Sequence, residues 1–259
     1  TLSQTTWTFS LAILILGLSA GFLGSFAEKI GPKKSGLLAM LFWVTGLLGT
    51  AYALSIHNLT LLYLFYGIIG GIGLGIGYIT PVSTLVKYFP NRPGFATGLA
   101  IMGFGFASLI AGPLMQYLVA QVGLVDTFII LGVIYLVIMG ASSLYLKAPQ
   151  PKHSTRTSKD RSTMYVHTHG MLANDAMKTW QFGALWWVFF INITCGIGLL
   201  SLASPMAQEA IGMTPTAAAS LVGIIGIFNG GGRIAWSTIS DYLGRAQTYI
   251  LFFIIQIIA

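Results

Sequence analysis

The stretch GSFAEKIGPKK at residues 24–34 recurs in altered form as STISDYLGR at residues 237–245. In each copy a small residue is followed four positions later by an acid, a glycine comes three positions after the acid, and a basic residue lies close by. The small residue permits close helix contact, the acid caps a neighbouring helix or pairs with a base, and the glycine makes the bend. Two copies in corresponding places predict an internal repeat. The residues that form it are Gly24, Glu28, Lys29 and Gly31 in the first copy and Ser237, Asp241, Gly244 and Arg245 in the second.

The sequence around these turns is too apolar for a water-soluble domain. Of the 259 residues, 55% are hydrophobic and 7% are charged, against about 25% charged in a typical globular protein. Barrel strands are about 10 residues long with alternating polarity, whereas the apolar runs here are mostly of about 20 residues, the length of a membrane helix. The runs therefore predict membrane helices. They lie at roughly 8–27, 36–56, 59–86, 94–120, 125–146, 180–207 and 214–239, with a shorter one at 246–259.

The basic residues predict which way these helices run. Every Lys and Arg except Arg233 lies in alternate connections, those that follow the first, third, fifth and seventh runs. The connections around His57, Asp126 and Glu209 contain neither Lys nor Arg. By the positive-inside rule the basic connections are cytoplasmic and residue 1 lies outside the cytoplasmic membrane. The net charge of +7 is then explained by topology, and we expect no nucleic-acid partner.

One connection is long and polar, and it predicts the domain organisation. Residues 147–178 indicate a cytoplasmic linker between an N-terminal bundle at 1–146 and the start of a C-terminal bundle at 179–259. A regulatory or lipid-contacting role is the alternative to a solvated linker. The linker histidines His167 and His169 are too few to form a metal site, so we expect no metal and no cofactor. The chain starts without Met and ends inside an apolar run, and we expect it to be part of a longer protein.

Arg233 is the only charged residue deep inside an apolar run, since Asp126 lies at the very start of the fifth run. It lies about 12 Å along the helix from Asp241, near mid-membrane, where an Arg costs at least about 2.5 to 3.5 kcal/mol. It should therefore face the interior and have a partner. Apart from Asp126 at the very start of the fifth run, the runs contain no Asp or Glu, and the neutral Asn229 stands one turn before Arg233 on the same face. We expect an anionic substrate as the partner, because a guanidinium matches a carboxylate bidentately; a structural ion pair or a snorkelling side chain is the alternative.

The two turns resemble the signature turn of the major facilitator superfamily, which joins the second and third helices and recurs between the eighth and ninth. The resemblance covers the whole chain and makes the first run the second helix of the family. The family's first helix would precede Thr1, and its tenth to twelfth would follow Ala259. The resemblance implies an all-α multi-pass fold of two six-helix bundles around a midplane site, with about eight of twelve helices in this sequence. It also implies a conformational role for both turns, although Ser237 departs from the usual glycine.

Two further segments narrow the resemblance. FNGGGR at 228–233 and KYFPNRPGFATG at 87–98 are similar to the oxalate:formate antiporters, a group related to the monocarboxylate transporters. This likeness implies that Arg233 binds the substrate carboxylate and that Tyr78 donates a hydrogen bond to the same anion. A tyrosine bonded to the backbone is the alternative. Ile13 stands where the oxalate transporter has a glutamine, so oxalate and a monocarboxylate such as lactate or formate both stay open.

Position 229 bears on what drives transport. The monocarboxylate transporters carry an Asp one turn before the arginine, tied to proton coupling in that family. Asn229 replaces it here and does not titrate. We therefore expect either exchange of anions or proton coupling through a residue outside the chain.

Other classes of protein need features that these runs lack. An anion channel needs rings of charge around a pore, and a membrane enzyme needs a buried nucleophile with a base, or a metal cluster. Apart from Asp126 at the edge of the fifth run, only Arg233 supplies a charge within the runs, and their interiors contain no His, Asp or Glu. We therefore expect a carrier that works by alternating access and not an enzyme. A carrier of another small solute, such as a drug or a sugar, is the alternative.

Overall fold

The structure, a computed structural model, describes residues 2–149 and 173–258. Its content is 92% helix, with no strand in the two described ranges, so the prediction of an all-α membrane protein is confirmed. The helices are α1 (Leu2–Ile30), α2 (Pro32–Ser55), α3 (Leu59–Leu62), a π-helical segment (Tyr63–Gly70), α4 (Gly71–Tyr88), α5 (Pro93–Tyr145), α6 (Ala173–Ala176), α7 (Trp180–Ile211), α8 (Pro215–Leu243) and α9 (Arg245–Ile258).

Glycines with positive φ mark the sharp bends between helices. Gly31 separates α1 from α2 with a φ of 82°, and Gly244 separates α8 from α9 with a φ of 91°. Within α5, Gly123 has a φ of 82° and a ψ of 173°, which breaks the helix between the predicted fourth and fifth runs. Side chains other than glycine rarely adopt this backbone region, so the bends depend on these glycines.

Five helical stretches of the described chain are long and apolar enough to cross a membrane: Thr5–Ile30, Pro32–Ser55, Leu59–Tyr88, Pro93–Tyr145 and Trp180–Leu200. The fourth of them, with 53 residues, contains two of the predicted runs. The helix α8 has 29 residues, but polar residues from Asn229 onward interrupt its apolar sequence. The helix α9 is apolar and shorter, with 14 residues.

The described chain forms two compact units. The first contains the described residues up to Pro149 together with those from Gly223 onward. The second contains the described residues between these two segments, up to Val222. In the first unit α1 packs on α4, while α2 packs on α4 and α5. The second unit contains α7, which begins at the Thr179 cap and ends at Gly212, where φ is 70°. Most of the predicted linker, together with His167 and His169, lies outside the described residues. The division into an N-terminal bundle, a linker and a C-terminal bundle stays a prediction.

Small side chains fill the interior of the first unit, as in other membrane bundles, where close backbone approach replaces the hydrophobic effect between helices. A Cβ on Gly71 would lie 2.9 Å from the Ala12 carbonyl oxygen of α1, and one on Gly73 would lie 3.0 Å from the Ala39 carbonyl oxygen of α2. The buried hydroxyls of Ser35 and Thr80 share a hydrogen bond of 2.6 Å. Large apolar side chains are instead exposed on the outer faces of the helices, as contact with lipid requires.

Candidate anion-binding site

Arg233 and Asn229 meet as the sequence predicts. The Nε of Arg233 donates a hydrogen bond of 2.8 Å to Oδ1 of Asn229, one turn earlier on α8. Both side chains are partly buried. Among the described residues no carboxylate lies within ion-pair distance of this guanidinium. A guanidinium has five N–H donors, so the hydrogen bond to Asn229 orients the group and leaves most of its donors for another ligand.

A cavity of about 570 Å³ opens beside this pair. Its walls come from α8 and α9, with Ile101 contributed by α5. The lining combines an apolar, mostly aromatic part with a polar part that carries two arginines and no carboxylate. The apolar part consists of Ile101, Phe228, Trp236, Tyr249 and Phe252, and the polar part includes Asn229, Arg233, Ser237, Ser240, Arg245 and Thr248. Such a lining suits a small anion with an apolar body.

Tyr78 does not line this cavity. It borders a second cavity of about 240 Å³, together with Trp43, Tyr135 and Met139. Its ring packs edge-on against Phe104, with 5.4 Å between the ring centroids. The structure thus brings Arg233 and Asn229 together and places Tyr78 apart from them.

The two copies of the repeated turn use their acids differently. In the second copy, the carboxylate of Asp241 accepts hydrogen bonds from the backbone N–H groups of Gly94, at 2.9 Å, and Phe95, at 2.8 Å, and so caps the start of α5. Its Oδ1 also lies 2.6 Å from the guanidinium of Arg245. In the first copy, Glu28 lies 3.0 Å from Nζ of Lys87 on α4. The second acid therefore caps a helix and pairs with a base, whereas the first only pairs with a base.

These contacts change the acidity of Asp241. Burial alone raises the pKa of its carboxyl, but the hydrogen bonds from Phe95 and Gly94 and the charge of Arg245 lower that pKa below the ordinary value of 3.8. The carboxylate side chain is only 8% exposed. Asp241 is therefore ionised at neutral pH and holds the α5 terminus against α8 through charge-assisted hydrogen bonds.

The contact between α5 and α8 depends on glycines that the sequence reasoning did not identify. The two helices run antiparallel here, because successive glycines along α5 meet successively earlier residues of α8. The spacing of four between Gly94 and Gly98, the small-residue pattern of close helix pairs, is the signal that points to this surface. A Cβ on Gly94 would collide with the Ser237 carbonyl, one on Gly98 would lie 2.6 Å from the Arg233 carbonyl oxygen, and one on Gly105 would collide with the Gly230 backbone.

The described residues contain no group of three or more His, Cys, Asp or Glu that could hold a metal ion. The described chain is thus an all-helical membrane protein with a cavity whose charged hydrogen-bond donors are guanidinium groups. A family model of the Major Facilitator Superfamily matches residues 1–259, and the chain belongs to this family of membrane transporters.

Several proteins of the same kind are similar to this chain. The chain is 29% identical to the uncharacterized MFS-type transporter YhjX of Escherichia coli, over 99% of this chain and 61% of that protein. It is 26% identical to the oxalate:formate antiporter of Oxalobacter formigenes, over 96% of this chain and 57% of that protein. It is 32% identical to human monocarboxylate transporter 12, over 61% of this chain and 32% of that protein. The chain thus spans about three fifths of the length of the first two relatives.

Proposed function

We propose that this chain belongs to a secondary transporter that carries a small carboxylate across the cytoplasmic membrane by alternating access. Arg233 binds the carboxylate, and Asn229 fixes the orientation of the guanidinium. The observation that carries the proposal is the state of Arg233, which bonds a neutral amide, faces a cavity and has no carboxylate partner among the described residues. An unpaired cation inside a membrane helix is costly, and an anion that arrives as substrate offsets that cost.

The names of the relatives support a carboxylate substrate, since they include an oxalate:formate antiporter and a monocarboxylate transporter. A carrier of a neutral sugar would need paired polar groups and no lone cation, because the charge would stay uncompensated when the sugar is bound. The lone cation Arg233 therefore favours an anion. Oxalate and a monocarboxylate such as lactate or formate are both substrates to test.

The proposal also covers what drives transport and how the chain is oriented in the membrane. Because Asn229 has no titratable group, we expect anion exchange, or proton coupling through a residue outside this chain. A pH-clamped assay in which Asn229→Ala abolishes a proton flux would contradict this expectation. The basic connections place residue 1 outside and residues 147–178 in the cytoplasm. Tyr78 remains a proposed second ligand of the anion, and in this structure it borders the other cavity.

The test is uptake of radiolabelled lactate, formate and oxalate by cells that express the intact protein. We expect Arg233→Gln and Arg233→Lys to reduce uptake to background, since a Lys supplies a point charge without the planar fork. Lys178→Gln, which removes the same charge from an exposed position, is the matched control and should transport normally. Membrane levels of each variant are measured by immunoblot. Normal uptake by Arg233→Gln would contradict the site, and absence of carboxylate uptake by the unmodified protein would contradict the substrate class.

A further inference from the structure

A second guanidinium shares the cavity of Arg233. The sequence pattern places Arg245 in the repeated turn, and in the structure its side chain lines the same cavity as Arg233 and Asn229. Its partner Asp241 is not among the residues of the cavity wall. Both charged side chains that line this cavity are therefore cationic. Arg245 belongs both to the repeated turn and to the cavity wall.

Polar residues connect the two arginines along one face of α8. Asn229, Arg233, Ser237 and Ser240 follow at intervals of four, four and three residues, the spacing of a single helix face. They cover about 16 Å of helix rise. Oγ of Ser240 accepts a hydrogen bond from Nη1 of Arg245, which places the second guanidinium at the end of this track. An ionisable residue inside a membrane helix, such as Arg233, marks the path of a polar substrate in many transporters.

Arg245 can bind an anion without dismantling the helix contact. Its side chain is 52% exposed, and its bonds to Ser240 and Asp241 use only some of its five N–H donors. The two hydrogen bonds that Asp241 accepts from α5 come from backbone N–H groups and do not involve Arg245. A carboxylate that enters the cavity can therefore replace Asp241 at Arg245 while the cap on α5 stays in place.

We propose that Arg245 forms a second anion-binding station in this cavity, at the end of α8 that the basic connections place in the cytoplasm. A small carboxylate binds there on its way to or from Arg233, and Asp241 occupies the station when the anion is absent. The two stations are separated by about 10 Å of helix rise between Arg233 and Ser240, so they act in succession. This inference rests on the proposed carboxylate transport and adds a residue that sets affinity on one side of the membrane.

The experiment measures half-saturation concentrations separately for carboxylate outside and inside proteoliposomes that contain the intact protein in known orientation. For Arg245→Gln we expect the cytoplasmic value to rise about tenfold, because a charge-assisted hydrogen bond is lost, while the opposite side changes little. For Asp241→Asn we expect the cytoplasmic value to fall, because the competing carboxylate is gone. If Arg245 only supported the turn, the two variants would share one defect.

Each outcome decides the proposal. Opposite shifts of the two variants on the cytoplasmic side support the station, and Arg245→Lys should be intermediate. Equal defects on both sides, or no shift in either variant, overturn it. If Arg245→Gln fails to reach the membrane, Asp241→Asn alone decides by the direction of its shift. The station can fail while the proposed function stands: in that case the unmodified protein transports carboxylate and Arg233→Gln does not. If the unmodified protein transports no carboxylate, both proposals are overturned.

Discussion

Asn229 and Arg233 stand one helical turn apart, and the neutrality of Asn229 determines what the guanidinium can bind. The hydrogen bond of 2.8 Å from Nε to Oδ1 orients Arg233 without neutralising it. Asn229→Asp would put a fixed carboxylate at that place and fill the anion site from within. We expect carboxylate uptake at neutral pH to fall about tenfold, equivalent to about 1.4 kcal/mol. Asn229→Ala, which removes the hydrogen bond and adds no charge, should cost less, and wild-type uptake by Asn229→Asp would contradict the role given to Arg233.

Asp241 gives the contact between α5 and α8 a dependence on pH. Its pKa in the folded protein is lower than its ordinary value of 3.8, so its stabilising contribution is complete above that value and is lost as the pH falls through the lower folded pKa. We expect Asp241→Ala to lower the free energy of unfolding by about 1 kcal/mol at pH 7, the usual contribution of a helix cap. The difference from wild type should shrink at pH 3.

Thermal unfolding in detergent at both pH values measures this difference. Asp175→Ala is the control, because Asp175 is exposed and lies 3.7 Å from Lys178 in a surface pair. It should change the melting temperature little at either pH. A loss in Asp241→Ala that is equally large at pH 7 and pH 3 would show that the charge of Asp241 does not hold the helices together.

At the scale of elements, the pairing of α5 with α8 depends on backbone contact at Gly105. A Cβ there would collide with the backbone of Gly230, which has no flexible side-chain end to move away. We expect Gly105→Ala to destabilise the protein by about 1 to 3 kcal/mol, the cost of overpacking. Gly103→Ala is the matched control on the same helix, because no atom lies within 4 Å of its Cβ position. Thermal unfolding compares the two, and equal melting temperatures would contradict the close contact.

Much of this arrangement could be predicted from local sequence, and the reason lies in the membrane. Lipid forces the backbone into helices, so apolar run length locates them, and a glycine between two runs, such as Gly244, locates the bend. An acid near a helix end can cap a neighbouring helix or pair with a base, so the sequence predicts these two roles for Asp241. The helix that Asp241 caps could not be predicted, because Gly94 at the start of α5 lies 147 residues away along the chain. Tyr78 shows the same limit, since its place beside Phe104 depends on how α4 packs on α5.

At the scale of the whole molecule, both repeated turns hold an acid against a neighbouring helix, but with different contacts. The turn at Gly31 pairs Glu28 with Lys87 of α4, and the turn at Gly244 places Asp241 against the start of α5. In a family built from parallel repeats, such turns lie on the same side of the membrane. From the distribution of Lys and Arg we expect this side to be the cytoplasm, and this expectation sets the orientation of every helix.

The helix α7 offers a direct test of that orientation, because exposed residues lie at both of its ends. Lys178 lies just before α7, in a basic connection, and Glu209 lies near its end, in a connection without Lys or Arg. In a Cys195→Ser background, which removes the single cysteine, we expect Glu209→Cys to react in intact cells with a membrane-impermeant maleimide. Lys178→Cys should react only after the cells are made permeable. The reverse pattern would invert the topology and move Arg245 to the outer side, and labelling of both positions in intact cells would mean that α7 does not span the membrane.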